Sequence, residues 1–393
     1  MRKMMTTHDR SPRVAIVHEW LTSFGAEKVL EQILEVFPDA DIHAVADVRD
    51  PEQRAAFHGR KVRTSFIQKL PFAVRKYKSY LFLMPLAVEG FDMSGYDIVI
   101  SSSHAVAKGV ITGPDQLHVC YCHTPIRYAW DLQHQYLREA GLTKGPGRAI
   151  ARLLLHYMRL WDLRTANGVD AFVANSGFIA RRIQKIYRRE AHVIYPPVDI
   201  DSFRMNTGRR DDYYIVVSRL VPYKRVPLIV EAFANMPDRK LVVVGGGPGL
   251  AECERLATPN ITIMGHQPAE RLRDLISRAR AFVFAAEEDF GIAVVEAQAC
   301  GTPVICFGKG GATETVIADE TGVMFDEQSV ESIQDAVRRF ERVEGDFEPV
   351  RIRENAERFR TEVFRRQLET LVISSWRNLK SEETIRAGAM AAV

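Results

Sequence analysis

The feature that most constrains this chain is an alternation. Short apolar runs at Val14 to Val17, Asp97 to Ser101, His118 to Cys122 and Ala171 to Ala174 are separated by stretches of helical periodicity, and each run stops at Gly, Ser, His or a polar turn. A second series follows at Tyr213 to Val217, Lys240 to Val244, Ile261 to Met264, Ala281 to Phe284 and Pro303 to Cys306. Strands alternating with helices predict an α/β protein of parallel sheets covered by helices. Between the two series lies YPPVDIDSF, Tyr195 to Phe203, whose paired prolines fix an extended connector and mark a domain boundary. Helical character returns over Val350 to Leu379, with basic and apolar residues interleaved, and the tail from Lys380 carries no strong pattern and is expected to be loose.

Length and composition agree with two cores. At 393 residues the chain exceeds one ordinary core, and its 46% hydrophobic and 26% charged residues suffice for two cores under a solvated surface. The formal net charge of +3 gives no whole-chain argument for nucleic acid, so any basic surface is local. At the N-terminus, the apolar run Val14 to Val17 is too short for a signal sequence and leads directly into a strand, which predicts a cytoplasmic protein. The longest apolar run, Tyr80 to Val88, is interrupted by Pro85 and falls short of the roughly 20 residues a membrane-spanning helix needs. Five cysteines without framework spacing fit reduced thiols. Cys120, Cys122 and His123 stand close together, yet no second ligand pair follows at a zinc-like spacing, so HVCYC reads as a buried strand and no metal is expected.

Ligands of open α/β sheets bind beyond the carboxyl ends of the strands, so the loops there hold the candidate chemistry. VVVGGGPGL, Val242 to Leu250, imitates a dinucleotide fingerprint, but Leu250 replaces the third glycine. The next strand ends in Gly265 and His266 where an acid for the ribose is needed. A tight strand-to-helix turn near a nucleotide is the better reading. In VSRLVPYKR, Arg219 and Lys224 follow the first strand of the second series across a turn. Two cations at a strand's carboxyl end suit a diphosphate, although a solvated surface pair gives the same pattern. Phe290, Gly291 and Ile292 open a helix whose N–H groups point toward the same anion. That helix carries Glu296 in its second turn, while Glu288 stays on the loop before it.

Arg219 and Lys224, then EDFGIAVVEA, GTPVI and GKGG, together resemble the second domain of retaining GT-B glycosyltransferases, specifically glycosyltransferase family 4. YCHTPIRYAWD, VANS and YPPVD stand in family order, so the resemblance covers essentially the whole chain. It implies two facing Rossmann-like domains with an interdomain cleft: residues 1–195 binding the acceptor and 196–361 binding the nucleotide sugar. A helix at 362–380 would pack back on the first domain, and 381–393 would be the loose tail.

By the same resemblance, Glu296 binds the ribose hydroxyls and Glu288 the hydroxyls of the transferred sugar, since ionised carboxylates accept paired hydroxyl donors. Arg219 and Lys224 hold the diphosphate, and Gly265, Phe290, Gly291 and Ile292 complete the donor side. His123 is the comparable first-domain histidine, lying against the donor sugar when the cleft closes. Arg127, Tyr128, Trp130 and Asp131 behind it shape the acceptor side, although aromatics at such spacing also serve as core. The family's first loop often reads Gly-Gly. Here it is Phe24-Gly25-Ala26-Glu27, and Gly25 alone is left to permit close approach to the donor.

The implied activity is metal-independent, cofactor-free, retaining transfer of a hexose from a nucleotide sugar to a growing glycan. GDP-mannose is the first donor, and a polyprenyl-diphosphate-linked oligosaccharide of a bacterial surface polysaccharide the first acceptor. A sugar-nucleotide epimerase on the same architecture is the rival enzyme, and a non-catalytic glycan-binding or assembly protein the rival from another class. Ser65 to Leu86 interleaves Lys69, Arg75, Lys76 and Lys78 with Phe, Leu and Tyr. This suits an anionic lipid surface on the inner face of the cytoplasmic membrane, although a helix packed on its own domain shows the same pattern.

Overall fold

The computed structural model describes residues 11–22, 25–50 and 60–391, without side chains at 139 and from 383 onward. The chain forms two compact units. The first holds the residues up to Asn175, Ile179–Ile194 and the chain from Arg365. The second holds Ser176–Phe178 and Tyr195–Phe364.

In the first unit seven strands form one sheet: β1 (Val14–Leu21), β2 (Asp41–Asp47), β3 (Val62–Thr64), β4 (Ile98–Ser103), β5 (Leu117–Cys122), β6 (Ala171–Ala174) and β7 (His192–Val193). Their order is β3-β2-β1-β4-β5-β6-β7, with every pairing parallel. The second unit holds β8 (Tyr214–Val217), β9 (Leu241–Val244), β10 (Ile261–Gly265), β11 (Phe282–Phe284), β12 (Val304–Phe307) and β13 (Gly322–Phe325). These run β10-β9-β8-β11-β12-β13, again all parallel.

Both faces of the second sheet are buried, as parallel strands covered by helices require. Tyr214, Val216, Val243, Val283 and Ile305 enter one core, whereas Ile215, Val244, Phe282, Phe284, Val304 and Cys306 enter the other. The period of two sends neighbouring residues of one strand to opposite cores. Four strands lie beyond the runs read from sequence. β2 (DIHAVAD) is closed by an acid at each end, and β3, β7 and β13 are only two to four residues long.

The strand order reverses between β1 and β4 in the first sheet and between β8 and β11 in the second. At such a reversal the following loops diverge and leave a crevice at the carboxyl ends. His18, Glu19 and the loop after β4 stand at the first reversal, and Arg219, Lys224 and Glu288 at the second.

The last helix runs Thr361–Ala391, so the backbone stays regular where a loose tail is expected from sequence. SEETIRAGAM has no proline, and its one glycine comes only at Gly388, so nothing breaks the helix earlier. Phe364, Leu368 and Val372 are buried, and Arg365 Nε donates to Gln32 Oε1 at 2.7 Å in the first unit.

Candidate active site

The second unit builds its site on backbone packing. After β8, Leu220 N–H donates to Gly246 O at 2.9 Å and Leu220 O accepts from Gly249 N–H at 2.8 Å. At Gly245 a Cβ would stand 1.8 Å from Ser218 O, so only glycine lets the two loops meet. The glycines of VVVGGGPGL therefore serve an internal backbone contact, consistent with the tight-turn reading of that motif. Gly265 closes β10 beside this loop, and its carbonyl accepts Gly245 N–H at 2.8 Å.

Arg219 Nη2 lies 3.3 Å from Tyr223 Oη, and a short turn at Pro222–Lys224 carries the second cation. Lys224 Nζ forms an ion pair with the Glu288 carboxylate and lies over the rings of Tyr223, at 5.6 Å, and Phe284, at 5.8 Å. The diphosphate cation and the sugar-binding acid of the sequence reading are thus direct neighbours.

What fixes Glu288 is its backbone. Gly311 N–H donates to Glu288 O at 2.7 Å, Glu288 bridges to Gly310, and a Cβ at Gly311 would lie 2.4 Å from Phe290 Cα. GKGG is the bed on which EDFG lies. Phe290 is buried against Tyr195 and Phe359 at ring distances of 5.8 and 5.3 Å. Gly291, at φ +88°, turns the chain into the helix Ile292–Ala299, and Glu296 stands partly exposed in its second turn.

In the first unit, His123 ends just beyond β5, with Nε2 2.9 Å from Ser102 Oγ at the end of β4. Ser102 O accepts a hydrogen bond from His18 Nδ1 at 3.0 Å. Beside them one buried carboxylate organises the loop. Glu19 Oε1 accepts from Ser103 Oγ and from the backbone N–H groups of His104, Ala105, Val106 and Ala107, at 2.8 to 3.0 Å. Its other oxygen faces His104 Nδ1 at 3.1 Å.

Burial would push the Glu19 carboxyl up, but the neighbouring His104 charge and the donors hold it well below the usual range. Burial would likewise push His104 down, and the Glu19 charge reverses this, so its imidazole is raised. Burial, helped by the nearby His104 charge, lowers His123 to about 3. In the first unit a buried carboxylate faces an imidazole raised above its ordinary value, beside a neutral His123, which can exchange hydrogen bonds with a hydroxyl but adds no charge at neutral pH.

The acceptor-side candidates divide. Trp130 Nε1 donates to Asp162 Oδ2 at 2.7 Å, and Asp162 also takes Lys108 Nζ at 2.8 Å and Tyr187 Oη at 2.9 Å. Trp130 is therefore a strut of a buried polar network. Asp131 pairs with Arg182. The ring of Tyr128 lies 5.9 Å from that of Tyr136, and its hydroxyl is buried without a partner among the described residues. Arg127 O accepts Leu132 N–H at 3.1 Å. Gly25 opens the helix Gly25–Val36, whose Glu27 accepts Thr22 N–H at 2.8 Å, while Phe24 lies outside the described residues. All five cysteines are buried as free thiols, and among the described residues no group of three His, Cys, Asp or Glu is placed to hold a metal.

Sequence reasoning missed Glu19, Ser102 and His104. Their signal was present: a His-Glu pair inside the apolar strand VAIVHEWL, and a strand ending in SSSH.

Two parallel-sheet Rossmann-like units with their candidate residues at both chain reversals define a GT-B architecture. Solved structures agree at the level of fold. A sucrose-phosphate synthase from Thermosynechococcus elongatus superposes with a TM-score of 0.71 at 17% identity, covering 95% of this chain and 100% of that one. Anabaena Alr3699/HepE in complex with UDP gives 0.69 at 16% identity, covering 92% and 100%. The family profile "Glycosyltransferase Family 4" matches residues 25–202, and "Glycosyl transferases group 1" matches residues 199–359. The chain belongs to glycosyltransferase family 4.

Among curated relatives, a GDP-mannose-dependent alpha-(1-6)-phosphatidylinositol monomannoside mannosyltransferase of Mycobacterium tuberculosis is 30% identical over 204 residues, 44% of this chain and 53% of that protein. A D-inositol 3-phosphate glycosyltransferase of Mycobacterium sp. strain KMS is 28% identical over 264 residues, 60% of this chain and 56% of that protein. The chain spans about half the length of the curated relatives it matches.

Proposed function

We propose that this protein is a retaining glycosyltransferase that moves a hexose, first of all mannose from GDP-mannose, to a lipid-linked oligosaccharide of a bacterial surface polysaccharide. The observation that carries the reading is the Lys224 and Glu288 pair at the reversal of the second sheet, ahead of the helix bearing Glu296. A cation for the diphosphate beside an acid for the sugar is what a nucleotide-sugar site needs. Mannose is supported by the name of the Mycobacterium tuberculosis relative, whereas the Anabaena structure holds UDP.

In this reading the leaving diphosphate takes the acceptor hydroxyl's proton on the face it departs from, so no protein nucleophile is needed. The C1–oxygen bond to the diphosphate breaks as the bond to the acceptor oxygen forms. Arg219 and Lys224 stabilise the charge that develops, and Glu288 orients the sugar. No metal and no further cofactor enters the scheme.

Among the described residues no helix is long and apolar enough to cross a membrane. We place the enzyme peripherally on the inner face of the cytoplasmic membrane, through residues 65–86. That segment is a string of short helical turns with Phe66, Phe72, Val74, Phe82 and Leu86 exposed beside its basic residues.

A thermal-shift series with GDP, GDP-mannose, UDP and UDP-glucose, followed by transfer of labelled mannose to a lipid extract, tests the function. Stabilisation by GDP and GDP-mannose with transfer is expected. Stabilisation by UDP compounds alone overturns the donor, and no nucleotide response overturns the activity. Arg219→Ala and Lys224→Ala should each weaken nucleotide binding by ~1.5–3 kcal/mol, the worth of a charge-assisted contact. Wild-type affinity and turnover in both would remove their role.

A further inference from the structure

The helix Gly145–Thr165 has two apolar faces. Leu155, Met158 and Trp161, spaced three apart, pack into the first-unit core. Ile150, Leu153, Leu154, Tyr157 and Leu160 follow the same helical spacing on another side and are exposed, Leu153 to 69% and Ile150 to 60%. An amphipathic surface helix normally turns one stripe inward and a polar face out. Here a second stripe faces outward, and the exposed Arg148 and Arg152 lie on the remaining, polar side of the helix.

This helix and the segment at 65–86 cover the same core. Met84, Ala87, Tyr77, Tyr80 and Leu81 join Met158 and Trp161 in one cluster, and Trp161 Nε1 donates to Glu89 Oε1 at 2.7 Å. Both elements also share a charge pattern. Residues 65–86 contain four basic side chains and no acid, and the helix has four arginines and a single acid, Asp162, which is buried against Lys108. Contiguous exposed leucines mark a contact surface. Pairing this face with a second copy would set arginine and lysine against their like, so an anionic bilayer is the occupant that the charges fit.

We propose that the helix Gly145–Thr165 is a second membrane-inserting element, its Ile150, Leu153, Leu154, Tyr157 and Leu160 stripe dipping between anionic headgroups while the excess of arginine over acid on the helix draws it to the negative surface. The proposal rests on the membrane location read from residues 65–86, and the test separates the two.

Because all five native cysteines are buried, a single introduced cysteine can be labelled selectively. Leu153→Cys and Phe72→Cys, each carrying an environment-sensitive dye, are titrated with phosphatidylethanolamine vesicles with and without phosphatidylglycerol. Both labels should shift to the blue with the anionic vesicles and be quenched by brominated lipid. The unlabelled double variant Leu153→Ser/Leu160→Ser should lose ~10-fold in vesicle partitioning, as expected for two apolar side chains withdrawn from the interface. The double variant's melting temperature should stay near wild type, since both leucines are exposed. A response at residue 72 with silence at 153 and wild-type partitioning of the double variant overturns the helix and leaves the segment. Silence at both positions overturns both. A shift at 153 without vesicles, together with a doubled mass in light scattering, assigns the face to a second copy and overturns the proposal.

Discussion

Glu19 shows how one buried side chain shapes a whole loop. Its carboxylate gathers the N–H groups of the loop after β4 and pairs with His104, and that loop follows directly on Ser102, which holds His123. Glu19→Gln keeps the shape but removes the charge that raises His104, which burial then leaves neutral, and it weakens the hydrogen bonds that the carboxylate takes from the loop. It should cost ~3 kcal/mol in urea unfolding, the upper order for hydrogen bonds to a charged group, and a loss under ~1 kcal/mol would contradict this. His123→Ala should lower kcat well beyond any change in nucleotide affinity, because Arg219, Lys224 and Glu296 belong to the other unit. A folded variant with full kcat would make the histidine structural.

At the scale of elements, the loops after β8 and β11 are held by contacts between backbones. GKGG lies against EDFG so closely that Gly311 has no room for a methyl group. Gly311→Ala must therefore displace Phe290 and with it the Glu288 carboxylate. We expect turnover to fall ~10-fold or more for a shift of about an ångström at the sugar, with the far-UV circular dichroism unchanged. Unaltered kinetics would show that the loop tolerates the displacement.

For the whole molecule, buried neutral histidines make stability depend on pH. Burial lowers His118 to about 4 and, aided by the His104 charge, His123 to about 3. Both titrate near 6.5 when unfolded, so below that pH the unfolded chain takes up protons that the folded chain refuses. Each histidine then removes ~1.4 kcal/mol per pH unit, until the pH reaches its folded value. His104, which is raised, contributes stability that is fully present below 6.5 and fades as pH rises through its folded value. Glu19 contributes above 4.5 and fails as pH falls through its lowered value. Urea unfolding should therefore show at least ~3 kcal/mol less stability at pH 5 than at pH 6.5 from these two histidines, and more in total because burial also lowers His43, to about 4, and His18. A flat profile over that interval would mean that the histidines are hydrated in the folded state.

The sequence by itself determined the class of the fold, because apolar runs long enough to be buried on both faces have only a covered parallel sheet to enter. It also determined the order of Arg219, Lys224, Glu288 and Glu296 around the second chain reversal, since these lie on loops and a helix whose starts are marked by proline and glycine. What it left open depended on partners remote in the chain. Glu19 meets its donors 84 to 88 residues away, Trp130 reaches Asp162 over 32, and Gly311 has no role until EDFG is folded against it. The short strands β3, β7 and β13 exist only because a neighbouring strand offers its edge. Lys224 and Glu288, 64 positions apart, become one ion pair only when β8 and β11 lie side by side, because strand order, unlike periodicity, is decided by which cores can be closed.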